Sequence, residues 1–168
     1  MAEPASEEEK ANLLGALDNQ LQHVMGILEG LSEEDLHRSA LPSGWTCLGL
    51  VQHLALDDER FWFWRVVCGQ SETGDTEIDD AWSVGPDVPA DAIFDLYRRE
   101  IERANAVIRD TPLDEAPKWW PEDLFGSWRL DNLRQIMLHV ITETACHSGH
   151  LDAARELIDG RTWLVLTS

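Results

Sequence analysis

Four ionisable side chains stand at helical spacing in the last quarter of the chain. His139, Glu143, His147 and His150 are separated by 4, 4 and 3 residues within LDNLRQIMLHVITETACHSGHLDAARELIDG. At about 100° per residue they fall on one helix face with Leu133, Ile136, Met137, Val140, Leu151, Ala154 and Leu157. A carboxylate buried in such a stripe costs on the order of several kcal/mol unless it is paired or bound to a metal. A lone histidine there is most simply a core residue with a hydrogen-bond partner. Four such groups on one face point instead to a shared task. A glutamate and a histidine one turn apart, facing inward together, form a ready-made pair of metal ligands.

A second helix must supply the rest. Residues 47–68 read as a helix that Thr46 can cap, with Leu50, Leu54, Asp57, Phe61, Trp64 and Cys68 on one face. His53 lies beside that face. Asp57, four residues on, can hold the second nitrogen of His53, an arrangement common behind metal ligands. The plainer alternative is a surface i,i+4 pair. Spacing alone does not choose among His139, His147 and His150 as partners of Glu143. Two histidines and a carboxylate suit zinc or another borderline divalent ion, with a position left for water or substrate.

The remaining elements frame a bundle. Residues 6–30 read as a first helix, with Ser6 and the following glutamates at its start and Leu13, Leu14, Leu17, Leu21, Val24, Ile27, Leu28 and Leu31 as its stripe. His23 reads as a residue of its surface. Ser32 to Leu36 reads as a single capped turn. Residues 90–110 are a third helix, striped by Ile93, Leu96, Tyr97, Ile101, Ala104 and Ile108. The connection over 69–89 is too long for a hairpin between neighbouring helices and predicts a crossover, so the second and third helices run parallel. A second long connection, 111–129, carries Lys118-Trp119-Trp120-Pro121. Long aromatic-rich loops often close a site, so Trp119 and Trp120, with Trp64 and His139, are the candidate pocket lining. The expectation is all-α: a single domain over 1–168, four helices, with no strand pattern and no repeat.

Composition narrows the function. Of 168 residues, 43% are hydrophobic, enough for one real core. A net charge of −19 argues against nucleic acid or an anionic membrane as partner. No apolar run is long enough to span a bilayer, and the acidic start MAEPASEEEK lacks the apolar stretch of a secretory signal. The cysteines, Cys47, Cys68 and Cys146, are odd in number and form no CxxC, which fits a reducing cytoplasm and packing roles. Exposed aromatics near 62–64 or 119–120 would suit a homodimer.

The segments SGWTCLGLVQHLALDDERFWF and HVITETACHSGHLDAARELIDG carry a family likeness. The chain resembles the DinB-like superfamily of metal-binding four-helix bundles, and within it the actinobacterial branch labelled mini-circle proteins. That branch is related to mycothiol-dependent maleylpyruvate isomerase and to the mycothiol and bacillithiol S-transferases. The resemblance implies an up-down-down-up bundle and one divalent ion, usually zinc or nickel. It implies His53, Glu143 and His147 as ligands, with glutamate standing where many members have a third histidine. His150 then borders the site. The isomerase's additional C-terminal domain has no counterpart in these residues, which directs the expectation toward transfer.

The function expected is a metal-dependent S-transferase. The ion activates a low-molecular-weight thiol such as mycothiol for attack on a small electrophile, a detoxifying reaction. His150 and Asp57 are candidates for orientation or proton transfer. Two other classes stay open. One is a non-catalytic stress or interaction bundle in which the metal ties helices together. The other is a hydrolase using metal-bound water.

Overall fold

The computed structural model describes residues 4–70 and 80–163. The middle of the predicted crossover, 71–79, the tail 164–168 and the first three residues lie outside them. Six helices form, and no strand is present among the described residues. They are α1 (Pro4–Leu28), α2 (Glu33–His37), α3 (Cys47–His53), α4 (Ala90–Asp110), α5 (Glu122–Phe125) and α6 (Leu133–Asp159). Beyond α3 the backbone continues as a π-helix, Leu54–Val67.

Capping residues set the starts. Ser32, Thr46 and Asn132 each accept a hydrogen bond from the amide three residues on, at 3.1, 3.0 and 3.1 Å, occupying a donor the first turn leaves unpaired. Ser6 does not cap α1, which begins before it at Pro4, a residue suited to a first turn. The expected capped turn after Ser32 is the short helix α2.

Contacts along the long helices give their directions. From α1 to α6, Glu9 meets Arg134, Gln20 meets Ser148 and His23 meets Asp152, so these two run parallel. Arg60 meets Glu100 and Arg103 lies over Trp64, so the π segment and α4 also run parallel. His53 faces His147 while Trp62 faces His139, so α3 and its continuation oppose α6. Lys10, near the start of α1, donates to the Thr111 carbonyl at the end of α4 (2.8 Å).

Leu17, Val24 and Ile27, Leu50, Leu54 and Phe63, Tyr97 and Ile108, and Ile136, Met137, Val140 and Leu151 fill the interior. Each aliphatic side chain so buried contributes about 1.5–3 kcal/mol.

Two helix faces differ from expectation. In the π segment each N–H reaches back five residues, as Cys68 N–H does to the Phe63 carbonyl, so more residues fit in a turn. The buried positions become Leu54, Ala55, Asp58, Glu59, Arg60, Trp62, Phe63, Val66 and Val67. Asp57 is exposed, and Phe61, Trp64 and Cys68 are half-buried. In α6 the stripe runs through Val140, Thr144, Ser148 and Leu151. His139, Glu143, His147 and His150 sit one residue earlier along each turn, at the stripe's edge, and Leu157 points to solvent.

Candidate functional site

The last turn of α3 and the middle of α6 bring two imidazoles together. The rings of His53 and His147 meet edge to face with centroids 5.0 Å apart. His53 Nδ1 lies 2.8 Å from Asp57 Oδ2. A carboxylate only accepts, so Nδ1 carries the proton and the Nε2 lone pair remains available. His150 follows one turn after His147, its Nδ1 3.4 Å from that of His147. Burial pushes His147 down to a pKa of about 4, helped by the neighbouring His53 and His150 and opposed by Glu143. At neutral pH its ring is therefore uncharged and able to donate a lone pair.

Trp82, in the last part of the crossover, covers this pair. Its indole stacks on His53 at 4.0 Å and lies 5.7 Å from His147. The buried amide of Gln52 holds that stretch by donating to the carbonyls of Ala81 (2.9 Å) and Ser83 (3.1 Å). Gly49 allows the close approach, because a Cβ there would strike the Trp82 carbonyl. On the other side, Trp45 lies 6.3 Å from His150.

Glu143 stands half-exposed one turn before His147, close enough for its charge to act on His139, His147 and Asp58. Among the described residues, no group of three or more His, Cys, Asp or Glu side chains is arranged to hold a metal ion. The donors fit a borderline divalent ion in kind: two imidazoles, one oriented by a carboxylate, and an acid a turn away. They are not drawn into a closed coordination shell.

His139 belongs to a neighbouring aromatic cluster. Its ring lies 4.7 Å from Trp62 and 5.4 Å from Trp128, and burial lowers its pKa. Phe125 stacks on Trp62, and Trp120 packs against Trp62, Phe125 and Trp128. Trp119 reaches the cluster's edge through Phe61. Trp64 does not join it. Arg103 covers its ring at 4.9 Å on the α4 side, and the π winding delivers Trp62 to the cluster instead.

Sequence reasoning passed over a third group. Asp58 and Glu59 are 5% and 1% exposed, packed near the fully buried Tyr97. Asp58 Oδ2, both Glu59 carboxyl oxygens and the Tyr97 hydroxyl have no hydrogen-bond partner among the described residues. Burial raises both carboxyls well above their ordinary range. Asp58 is raised further by Glu143 and Asp57, and Glu59 by Asp58, Asp18 and Glu100. Beside them Glu100 accepts from Arg60 (2.8 Å) and Arg103 (3.1 Å). The signal was the run Asp57-Asp58-Glu59-Arg60, whose four charges circle a helix that is buried along one side. Trp82 carried no comparable mark, standing in a connection without periodicity.

No helix of the described residues is long and apolar enough to cross a membrane. No curated protein and no solved structure matches the chain. A family model described as Mycothiol-S-transferase matches residues 12–160, covering α6 and all but the first turns of α1. The chain belongs to that family, within the DinB-like superfamily.

Proposed function

We propose that the chain is a divalent-metal-dependent S-transferase that joins the sulfur of mycothiol to a small electrophile, with detoxification as the outcome. The supporting observation is the contact of His53 with His147, His53 being oriented by Asp57. His53, Glu143 and His147 would hold the ion, zinc or nickel, whose contribution when bound is to lower the thiol's pKa so that thiolate is present at neutral pH.

The side chains do the rest. Asp57 keeps the proton on Nδ1 of His53 and its Nε2 lone pair free. His147 stays uncharged. Trp82 shields the ring of His53 from water. His150, exposed and beside His147, is the proposed acceptor of the thiol proton, which it hands to solvent. The sulfur forms a bond to the electrophilic carbon while the leaving group departs with its electron pair.

Metal analysis of protein purified without a histidine tag tests the first half of this reading. Bound zinc or nickel near one equivalent is expected. Monobromobimane consumption with mycothiol tests the second half, and turnover above a His147→Ala control is expected. Bound metal that raises the melting temperature without any turnover would identify a non-catalytic, metal-stabilised bundle. Absence of both metal and turnover would end the proposal.

A further inference from the structure

Of the six large hydrophobic side chains exposed among the described residues, three (Trp119, Leu124 and Trp128) stand in the connection after α4 and a fourth, Leu138, stands beside His139. Such a concentration marks a binding face rather than scattered exposure. The rings join into one strip. Centroid to centroid, His139 lies 5.4 Å from Trp128, Trp128 5.1 Å from Phe125, Phe125 6.3 Å from Phe61 and Phe61 6.3 Å from Trp119. Trp62 and Trp120, both buried, form its floor under Trp128. One end of the strip adjoins the candidate site. Glu143 follows His139 by one turn of α6, about 6 Å along the axis. Its charge acts on His139 and His147 alike.

The strip sets the chemistry of what it can hold. Trp128 is 43% exposed, so the cluster covers only part of its indole and a further ring can pack there. His139, its pKa lowered by burial, is uncharged at neutral pH and adds a second flat surface. The cluster also holds an unused donor. Trp120 Nε1 is enclosed with no acceptor among the described residues, a costly state for a buried N–H. An acceptor oxygen arriving beside Trp120 satisfies it, with the half-open Trp128 as the side chain that yields. Arg129 lies over the Trp120 ring at 5.6 Å and is shared with the exposed Glu122 at 3.9 Å, so positive charge stands where that oxygen would sit.

We infer that the end of the strip at Trp128 and His139 is the subsite for an aromatic ring of the electrophile, one bearing an acceptor oxygen for Trp120. The inference rests on the transferase reading and adds the chemical class of its second reactant. That class is a planar aryl ketone or its like, with the electrophilic carbon a few bonds from the ring. Such a molecule spans the turn from His139 to Glu143.

Acetophenone, an aryl ketone without a leaving group, is titrated into the wild-type protein, with acetone as the control lacking the ring. The indole N–H signals are followed by NMR. Selective shifts of Trp120 and Trp128 with acetophenone, and none with acetone, are expected. Turnover with mycothiol is then compared for phenacyl bromide and bromoacetone, which share one reacting group. In both, the sulfur bonds to the CH₂ carbon, bromide leaves with the C–Br electron pair and the thiol proton passes to solvent. With each rate divided by its uncatalysed rate, phenacyl bromide should be preferred about tenfold, the upper scale of one aromatic contact. Trp128→Ala should remove that preference, and Trp119→Ala, at the far end of the strip, should leave it. Melting curves check the fold. If Trp128→Ala does not fold, the wild-type indole shifts and Trp128→Leu decide. Acetophenone that shifts neither indole, or a preference that survives loss of the Trp128 ring, overturns the subsite. So does a dimer in sedimentation that covers these indoles. Acetophenone binding without turnover of either bromide would instead overturn the transferase reading and leave the aryl-binding face standing.

Discussion

Two polar clusters lie on adjacent turns of one helix and meet opposite fates. His53 ends α3 half-open to solvent, with a carboxylate on one nitrogen and a second imidazole against its ring. Asp58 and Glu59, five and six residues later, are enclosed, and three of their four carboxyl oxygens lack a partner among the described residues. Between them the winding changes from α to π. At the half-open cluster a partner fixes a tautomer and leaves a lone pair to offer. In the enclosed cluster, burial disfavours the charged form and raises both carboxyls well above their ordinary range, so they have nothing comparable to give a ligand. Many ionisable residues close together do not make a site. A candidate site needs access to solvent together with an orienting partner.

The largest expected effect tests the enclosed side. Glu100 is 2% exposed and serves Arg60 and Arg103 at once. Glu100→Ala removes a buried carboxylate that two guanidinium groups share and should cost about 3–5 kcal/mol of unfolding free energy in denaturant titrations. A loss below 1 kcal/mol would mean that this cluster is not structural. Asp57→Asn, at the half-open cluster, should act the other way round. The pair with His53 is exposed on the Asp57 side and contributes little stability. An amide can donate to Nδ1 of His53 as well as accept from it, so the ring's ¹⁵N spectrum should report a changed tautomer balance. Zinc affinity, read by competition with a chromophoric chelator, should fall roughly 10–100-fold. An unchanged tautomer with unchanged affinity would reduce Asp57 to a surface residue.

The sequence carried one cluster better than the other, and the reason is geometric. Helical periodicity identified an all-α chain with four long helices, and the bounds 90–110 match α4. It also brought His53, His147 and His150 to notice, because an imidazole beside an apolar stripe stands out. The same periodicity assumed about 3.6 residues per turn. Leu54–Val67 does not obey it, so Asp57, Phe61 and Trp64 were assigned to the core face that Asp58, Glu59, Trp62 and Phe63 occupy. A π winding leaves no mark in a pattern read at α spacing. Within α6 an error of one residue in the stripe's axis moved Glu143 and His147 from interior to edge. Trp82 was out of reach altogether, since its place depends on Gln52 and Gly49, distant in sequence.

The smallest effect separates the clusters by pH. The folded-state pKa of Glu59 is raised above its unfolded value, chiefly by burial. Its contribution to stability is therefore complete below the unfolded pKa and is lost as pH rises through the folded one. The wild-type unfolding free energy should accordingly fall between pH 4.5 and neutral, against the trend set by carboxylates such as Glu9, which Arg134 holds below the ordinary range. Glu59→Gln keeps the shape of the neutral acid and removes the titration. It should remove that part of the decline, so the variant gains stability on the wild type as pH rises from 5 to 8. Denaturant titrations at pH 5 and pH 8 provide the check, with Asp18, Asp58, Tyr97 and Glu100 as the other titratable groups facing Glu59. Equal slopes in both proteins would show that Glu59 is ionised when folded. The enclosed cluster would then hold real charge, and the contrast with the histidines would narrow to one of solvent access alone.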